Sequence, residues 1–374
     1  DYVSLFGAGS GTTTIDAENG GIDALQVYGD GFSVSGFTFD RALDAIEMNQ
    51  GGFTVSNNTF TANVSNGVYL DFSQDNLDED YSIGDVSVTG NTFNINGTSN
   101  GNNPAGGVYL SATGNLSSAL TGNSITAIGN ASTYGIYMLS SNGTIGLTAN
   151  NNTMDIASTA GSGYGIYAEA GDINIGGYIG SGSQIDVESA SDAFGIYLKG
   201  DRNRCLGFFD ISVHSTANDA YGIYLSSEYD IGSGEIRDGY ISATSDNSDA
   251  YGIFVQAKRH IDSIDIFNMD LIQVFANELA YGMYLQTLEG EFQFNTISGN
   301  NIIASSANNG ATGIFCRAYE DFLGVTFEDN NMAESGCYVS GALASYGIRL
   351  RSDYGHVGWD TGASWPDEVF PVNI

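Results

Sequence analysis

Tyr134-Gly135-Ile136-Tyr137-Met138 returns as Tyr164-Gly165-Ile166-Tyr167-Ala168 and as Phe194-Gly195-Ile196-Tyr197-Leu198. It continues as Tyr221-Gly222-Ile223-Tyr224-Leu225, Tyr251-Gly252-Ile253-Phe254-Val255 and Tyr281-Gly282-Met283-Tyr284-Leu285. Looser copies flank this block at Gly67-Val68-Tyr69-Leu70, Gly107-Val108-Tyr109-Leu110, Gly313-Ile314-Phe315-Cys316 and Gly347-Ile348-Arg349-Leu350. Successive glycines are 40, 28, 30, 30, 27, 30, 30, 31 and 34 residues apart. Self-similarity at such a period is the signature of a repeat architecture.

Working outward, a second element falls midway between these copies: Gly90-Asn91-Thr92-Phe93, Gly122-Asn123-Ser124-Ile125, Asn151-Asn152-Thr153-Met154, Gly299-Asn300-Asn301-Ile302 and Asn330-Asn331-Met332. Asn and Gly tolerate left-handed backbone, so each marks a bend, and the Thr, Phe or Ile that follows starts a strand. A third apolar run, as in Ile173-Asn174-Ile175 or Ile264-Asp265-Ile266, completes the unit. Three short strands per unit cannot bury an apolar face alone; stacking unit on unit buries it. The fold expected is all-β: a single right-handed parallel β-helix of ten or eleven coils over residues 1–352. At one strand spacing per coil, about 4.8 Å, this is a rod on the order of 50 Å long. Residues 353–374 carry both tryptophans, Trp359 and Trp365, and two of the three prolines. They are expected to form a C-terminal cap or an inter-subunit arm.

The Asn-Thr-Phe and Asn-Ser-Ile turns, with the opening Val3-Ser-Leu5-Phe-Gly7-Ala-Gly9-Ser-Gly11-Thr-Thr-Thr-Ile15-Asp16, resemble the coils of the pectin-lyase-like right-handed β-helix superfamily. The closest resemblance in character is to surface β-helix proteins such as adhesins and autotransporter passengers. The resemblance covers nearly the whole chain. It implies the fold, but not a choice among lyases, hydrolases, tailspikes and adhesins, because function lives in sites grafted onto a fold.

Composition narrows the classes. The 374 residues carry 44 acidic and 10 basic side chains, a formal charge of −34, yet only 14% are charged at all. A chain so negative repels nucleic-acid phosphates and anionic lipid. No run is long and apolar enough for membrane insertion. The 42% hydrophobic and 12% aromatic content exceeds what a disordered chain carries. Three cysteines, Cys205, Cys316 and Cys337, are too few for a disulfide framework; a Cys316–Cys337 bridge stays open. The start at Asp1 reads as a mature or trimmed chain.

Period-2 alternation assigns the faces. The columns beginning Val68 and Leu70 should point inward. The residue between them should point outward: Tyr69, Tyr109, Tyr137, Tyr167, Tyr197, Tyr224, Phe254, Tyr284 and Phe315, ending at Arg349. This ladder is the leading contact candidate, whether for sugar rings, for a neighbouring subunit, or only for itself.

The search for chemistry gives less. Lyases on this architecture need a base beside the substrate carboxylate and hydrolases need a carboxylate pair. Lys199, Arg202, Arg204, Lys258, Arg259, Arg317 and Arg351 could line one basic edge, with ion pairing to nearby acids as the competing reading. His356, near Arg349 and Arg351, lacks accompanying aspartates. No catalytic residue is assigned. The insertion bearing Asp71, Asp75, Asp78, Glu79 and Asp80 offers hard oxygen ligands suited to Ca²⁺, or simply a solvated acidic loop. Residues 86–154 hold no charged side chain. In and around them lie seven Asn-X-Ser/Thr sequons, at Asn57, Asn63, Asn96, Asn115, Asn130, Asn142 and Asn151, as glycosylation candidates.

The expectation is thus an extracellular, cell-surface structural or adhesive protein without catalysis. Its partners would be copies of itself in a homo-oligomer or filament. An N-terminal coil without a capping helix would favour head-to-tail stacking. A glycan-binding adhesin is the second reading, and a polysaccharide lyase or glycoside hydrolase the third.

Overall fold

The computed structural model describes residues 3–9, 13–17, 22–28, 31–48, 52–61, 65–71, 82–97, 104–175, 181–201, 204–207, 209–332 and 339–355. The described residues form strands and turns without a helix, in parallel stacked coils amounting to about ten turns of roughly 30 residues. No helix long and apolar enough to cross a membrane is present among them. The chain divides into two compact units, Asp1–Ser191 and Asp192–Ile374.

Each turn of unit 1 contributes strand to each of three faces, the long strand Gly163–Ile175 serving two of them. One turn runs Ala105–Ala112, Leu116–Thr121, Ser124–Gly129, and the next Thr133–Ser140, Thr144–Asn150, Thr153–Ser158. Every strand pairs in parallel with its counterpart one turn away: Val108 with Ile136, Leu120 with Ala149, Ile125 with Met154. Unit 2 repeats the scheme with Ala220–Ser227, Ile231–Arg237, Tyr240–Ser245, and then Ala250–Ala257, Ile261–Phe267, Leu271–Ala276. Its middle strands bend at Ser233, Ser263, Phe294 and Gly324, all with positive φ.

The core is the sum of inward columns. Val68, Val108, Ile136 and Ile166 are fully buried in unit 1; so are Ile196, Ile223, Ile253, Met283 and Ile314 in unit 2. In the last described strand, Ser345–Ser352, Ile348 and Leu350 are only half-buried. On the third face of unit 1, Phe39, Phe60 and Phe93 stack with centroids 5.2 and 4.5 Å apart, and Ile125 and Met154 continue their column.

The bends read from sequence are built from two adjacent residues with opposite roles. The first takes positive φ: Asn57, Gly90, Gly122, Asn151 and Gly182 in unit 1, and Asp238, Asn268, Gly299 and Asp329 in unit 2. The second turns inward. Asn123 Oδ1 accepts the Asn91 amide at 3.1 Å, while Asn123 Nδ2 donates to the Val88 carbonyl at 2.8 Å. Asn58, Asn91 and Asn152 repeat this in unit 1, and Asn300 and Asn330 in unit 2. These amides satisfy backbone groups that the bend takes out of the sheets, which buried peptide groups require. The next corner uses serine: Ser158 Oγ donates to the Ala131 carbonyl at 2.7 Å and Ser245 Oγ to that of Asn218 at 2.7 Å.

Candidate functional site on the aromatic face

The Tyr-Gly-Ile-Tyr strand breaks simple alternation at its glycine. A Cβ on Gly135 would lie 2.6 Å from the Gly165 carbonyl oxygen and 2.8 Å from Met154 Sδ; on Gly252, 2.3 Å from Ile272 Cγ2 and 2.5 Å from the Gly282 oxygen. Both the glycine and the following Ile therefore face the interior. The aromatic before the glycine and the one three residues later both face outward. Two aromatics per turn are presented where the alternation reading assigned one. The missed column is Tyr134 and Tyr164 in unit 1, and Phe194, Tyr221, Tyr251 and Tyr281 in unit 2. Its signal was in the same repeat, in the aromatic preceding each glycine.

Each unit carries a pair of these columns. In unit 1, Tyr69, Tyr109, Tyr137 and Tyr167 stack at centroid distances of 4.9, 4.4 and 4.8 Å, the last two pairs within 3° of parallel. Beside them Tyr134 and Tyr164 stack at 4.9 Å. In unit 2, Tyr197, Tyr224, Phe254 and Tyr284 stack at 4.8, 4.9 and 5.2 Å. Phe194, Tyr221, Tyr251 and Tyr281 stack alongside at 4.9, 4.9 and 5.4 Å. Across columns the rings meet edge-on, at 88° for Tyr164–Tyr167 and 90° for Tyr221–Tyr224.

These angles fix the packing. Parallel carbon surfaces do not approach closer than about 3.5 Å, so rings with centroids 4.9 Å apart tilt roughly 45° to the stacking direction. Perpendicular planes in the two columns then tilt in opposite senses, a herringbone. Ring faces bear on the rings of adjacent turns, and Phe254 and Phe315 retain only 9% and 7% of their exposure. The expected outward strip is thus a packed aromatic layer, half-buried or buried at each position. Its last member, Phe315, is covered by the Arg349 guanidinium at 5.4 Å, which also lies 5.1 Å from the Tyr346 ring.

The phenols are anchored by neighbouring polar groups. Tyr69 donates to Asp71 at 3.2 Å, Tyr221 to Asp219 at 2.9 Å, Tyr251 to Asp249 at 3.1 Å, Tyr284 to Gln286 at 2.9 Å, and Tyr167 to Glu169. In unit 2 the carboxylates also bridge turns. Asp249 Oδ1 accepts the Leu279 amide at 2.8 Å, and Asp219 Oδ1 the Asp249 amide at 3.2 Å. Burial first, and these carboxylates second, push the Tyr69, Tyr221 and Tyr251 phenols well above the ordinary tyrosine range. Burial raises Asp249 as well.

Of the basic residues expected along one edge, Lys258, Arg259, Arg317 and Arg351 are engaged with acids. Arg259 pairs with Asp230 at 3.0 Å and His260 Nδ1 lies 2.9 Å from the same carboxylate; Lys258 reaches Glu289 at 3.9 Å. Arg317 and Arg351 are brought together on Asp353, at 2.6 and 2.8 Å. Lys199 is half-buried. Arg202, His356 and the side chain of Arg204 lie outside the described residues.

Five candidate sequon asparagines, Asn57, Asn115, Asn130, Asn142 and Asn151, are exposed, and Asn96 is half-buried. Asn63 lies outside the described residues, as do Asp75, Asp78, Glu79 and Asp80 of the acidic insertion. Asp71, its one described member, accepts the Tyr69 hydroxyl. Among the described residues no three His, Cys, Asp or Glu side chains are grouped to hold a metal ion. Cys316 is fully buried, and Cys337 is outside the described residues.

Comparison with family models, with curated proteins and with solved structures gives no match to the chain.

Proposed function

We propose that this chain is an extracellular structural β-solenoid of the pectin-lyase-like, right-handed type, a subunit of a cell-surface fibre or filament without catalytic activity. The observation carrying this reading is that the conspicuous side chains are used to join turn to turn. Rings pack on rings, Asp219 and Asp249 accept amides of the following turn, asparagines hold backbone, and arginines meet acids. A surface spent on its own regularity suits a protein selected for persistence and repeat geometry. The superfamily assignment is supported by the turns that carry the resemblance, which fold as a left-handed residue followed by an inward asparagine. Negative-stain electron microscopy of the purified chain at micromolar concentration tests the structural role, with ordered fibres expected. Isolated particles at every concentration and salt, or release of reducing sugars from neutral or acidic polysaccharides, would overturn it.

A glycan-binding adhesin is the second reading. The outward edges of the aromatic layer carry phenol–carboxylate and phenol–amide pairs, Tyr167–Glu169 and Tyr284–Gln286, which match sugar hydroxyls as donors and acceptors. With ring faces already covered, binding would be polar. Retention on a glycan array lost in Glu169→Ala would favour this reading over a purely structural one.

A further inference from the structure

The tyrosine column of unit 1 differs chemically from its counterpart in unit 2. All four of its members are phenols, whereas Phe254 and Phe315 interrupt the other with rings that lack a hydroxyl. Tyr109 and Tyr137 are its tightest pair, with centroids 4.4 Å apart and planes 3° from parallel. The two are in register on adjacent parallel strands. At either end of the column a carboxylate takes the phenol hydrogen bond, Asp71 from Tyr69 and Glu169 from Tyr167. A tyrosine gives up an electron readily only when its proton has somewhere to go; these acids serve Tyr69 and Tyr167, and for Tyr109 and Tyr137 the acceptor is solvent water at the ring edges. The rings are half-buried, with their edges reachable from outside.

We propose that this column is a site of oxidative cross-linking, in which Tyr109 and Tyr137 are joined as dityrosine by a haem-peroxidase-class oxidant acting with hydrogen peroxide. Each phenol loses one electron to the oxidant and its hydroxyl proton to solvent water. The two phenoxyl radicals join by a new carbon–carbon bond between ring positions ortho to the oxygens. The ring protons at the joined carbons then pass to the oxygens and restore both phenols. Two electrons and two protons leave in total, and they reduce one peroxide to two waters. Holding the rings in contact replaces a bimolecular radical encounter with an intramolecular one. The product is a covalent bond between adjacent turns.

The full chain, kept dilute, would be treated with a haem peroxidase and hydrogen peroxide. It would then be read by dityrosine fluorescence, intact mass and peptide mapping. The expected product is monomer-sized, lighter by two hydrogen atoms, and yields a linked peptide containing Tyr109 and Tyr137. Tyr137→Phe should abolish that link. It should still fold, because Phe254 shows that such a column accepts a ring without a hydroxyl; circular dichroism checks this. Tyr229→Phe, at an exposed tyrosine stacked by Arg259, should leave the yield unchanged. The proposal is overturned by absence of the Tyr109–Tyr137 link in the treated, unsubstituted chain, by cross-links that join copies only, or by undiminished intrachain yield in Tyr137→Phe.

Discussion

Single positions carry large consequences because each residue belongs to a column. Asn123 holds the Asn91 amide, the Val88 carbonyl and, through its own amide, Asn152. Asn123→Ala strands two buried backbone groups, each costing about 1–3 kcal/mol. A loss of stability on the order of 2–5 kcal/mol is expected, read as a fall in urea midpoint. Gly252→Ala drives a methyl into Ile272 and the Gly282 carbonyl. Overpacking of this kind costs about 1–3 kcal/mol or more and should lower the melting temperature. Asp44 is the outstanding acid. Burial, with Asp23 and Glu47 nearby and against the hydrogen bond from Asn66, raises it to about 7. Its folded value lies above the unfolded one, so its stabilising contribution is present below about pH 4 and is lost as pH rises through 7. Unit 1 should therefore weaken between those limits. Asp44→Asn should flatten that dependence in thermal melts across the range.

At the scale of the strand, the aromatic layer sets behaviour in alkali. Burial first, then neighbouring carboxylates or phenols, raise Tyr69, Tyr109, Tyr137, Tyr221 and Tyr251, and Tyr134 to about 12. Phenols raised in the folded state add stability that is complete below the ordinary tyrosine value near 10 and disappears above it. Tyrosinate absorbance should lag the ordinary titration and then appear together with loss of the β-sheet circular dichroism signal. Titration of these phenols near pH 10 with the sheets intact would contradict the packed layer. Ring pairs contribute about 0.5–1.5 kcal/mol beyond burial. Tyr224→Ala, which removes contacts to Tyr197, Phe254, Phe194 and Tyr221, should thus cost far more than Tyr224→Phe.

For the whole molecule the governing quantity is the charge of −34. Like-charged copies repel, and the repulsion is screened over about 10 Å at 0.1 M salt. Assembly into fibres should therefore be favoured by added salt, and light scattering with electron microscopy across a salt series measures it. Five exposed sequons sit in the first 151 residues. If the native protein is glycosylated at asparagine, glycan mass should map to peptides from that part alone. Glycopeptides from the remainder would show that the neutral stretch has no special role.

What the sequence determined by itself is the solenoid. A period near 30, glycine-anchored strands and Asn bends leave few other ways to bury Val68, Ile136 or Ile253, because the apolar positions recur in the same places from turn to turn. It also determined that Tyr137 and its equivalents lie outside. What it did not disclose was how the rings lie. Strict period-2 reasoning fails at Gly135 and Gly252, where Met154 and Ile272 from another face occupy the space of a side chain and turn a second aromatic outward. Whether a ring offers its face to a ligand depends on that second column and on tilt, and both come from contacts between residues about 20 to 30 apart. The same holds for the acids and bases. Asp353 meeting Arg317, or Asp230 meeting Arg259, follows from the stacking of turns, and no local spacing predicts it.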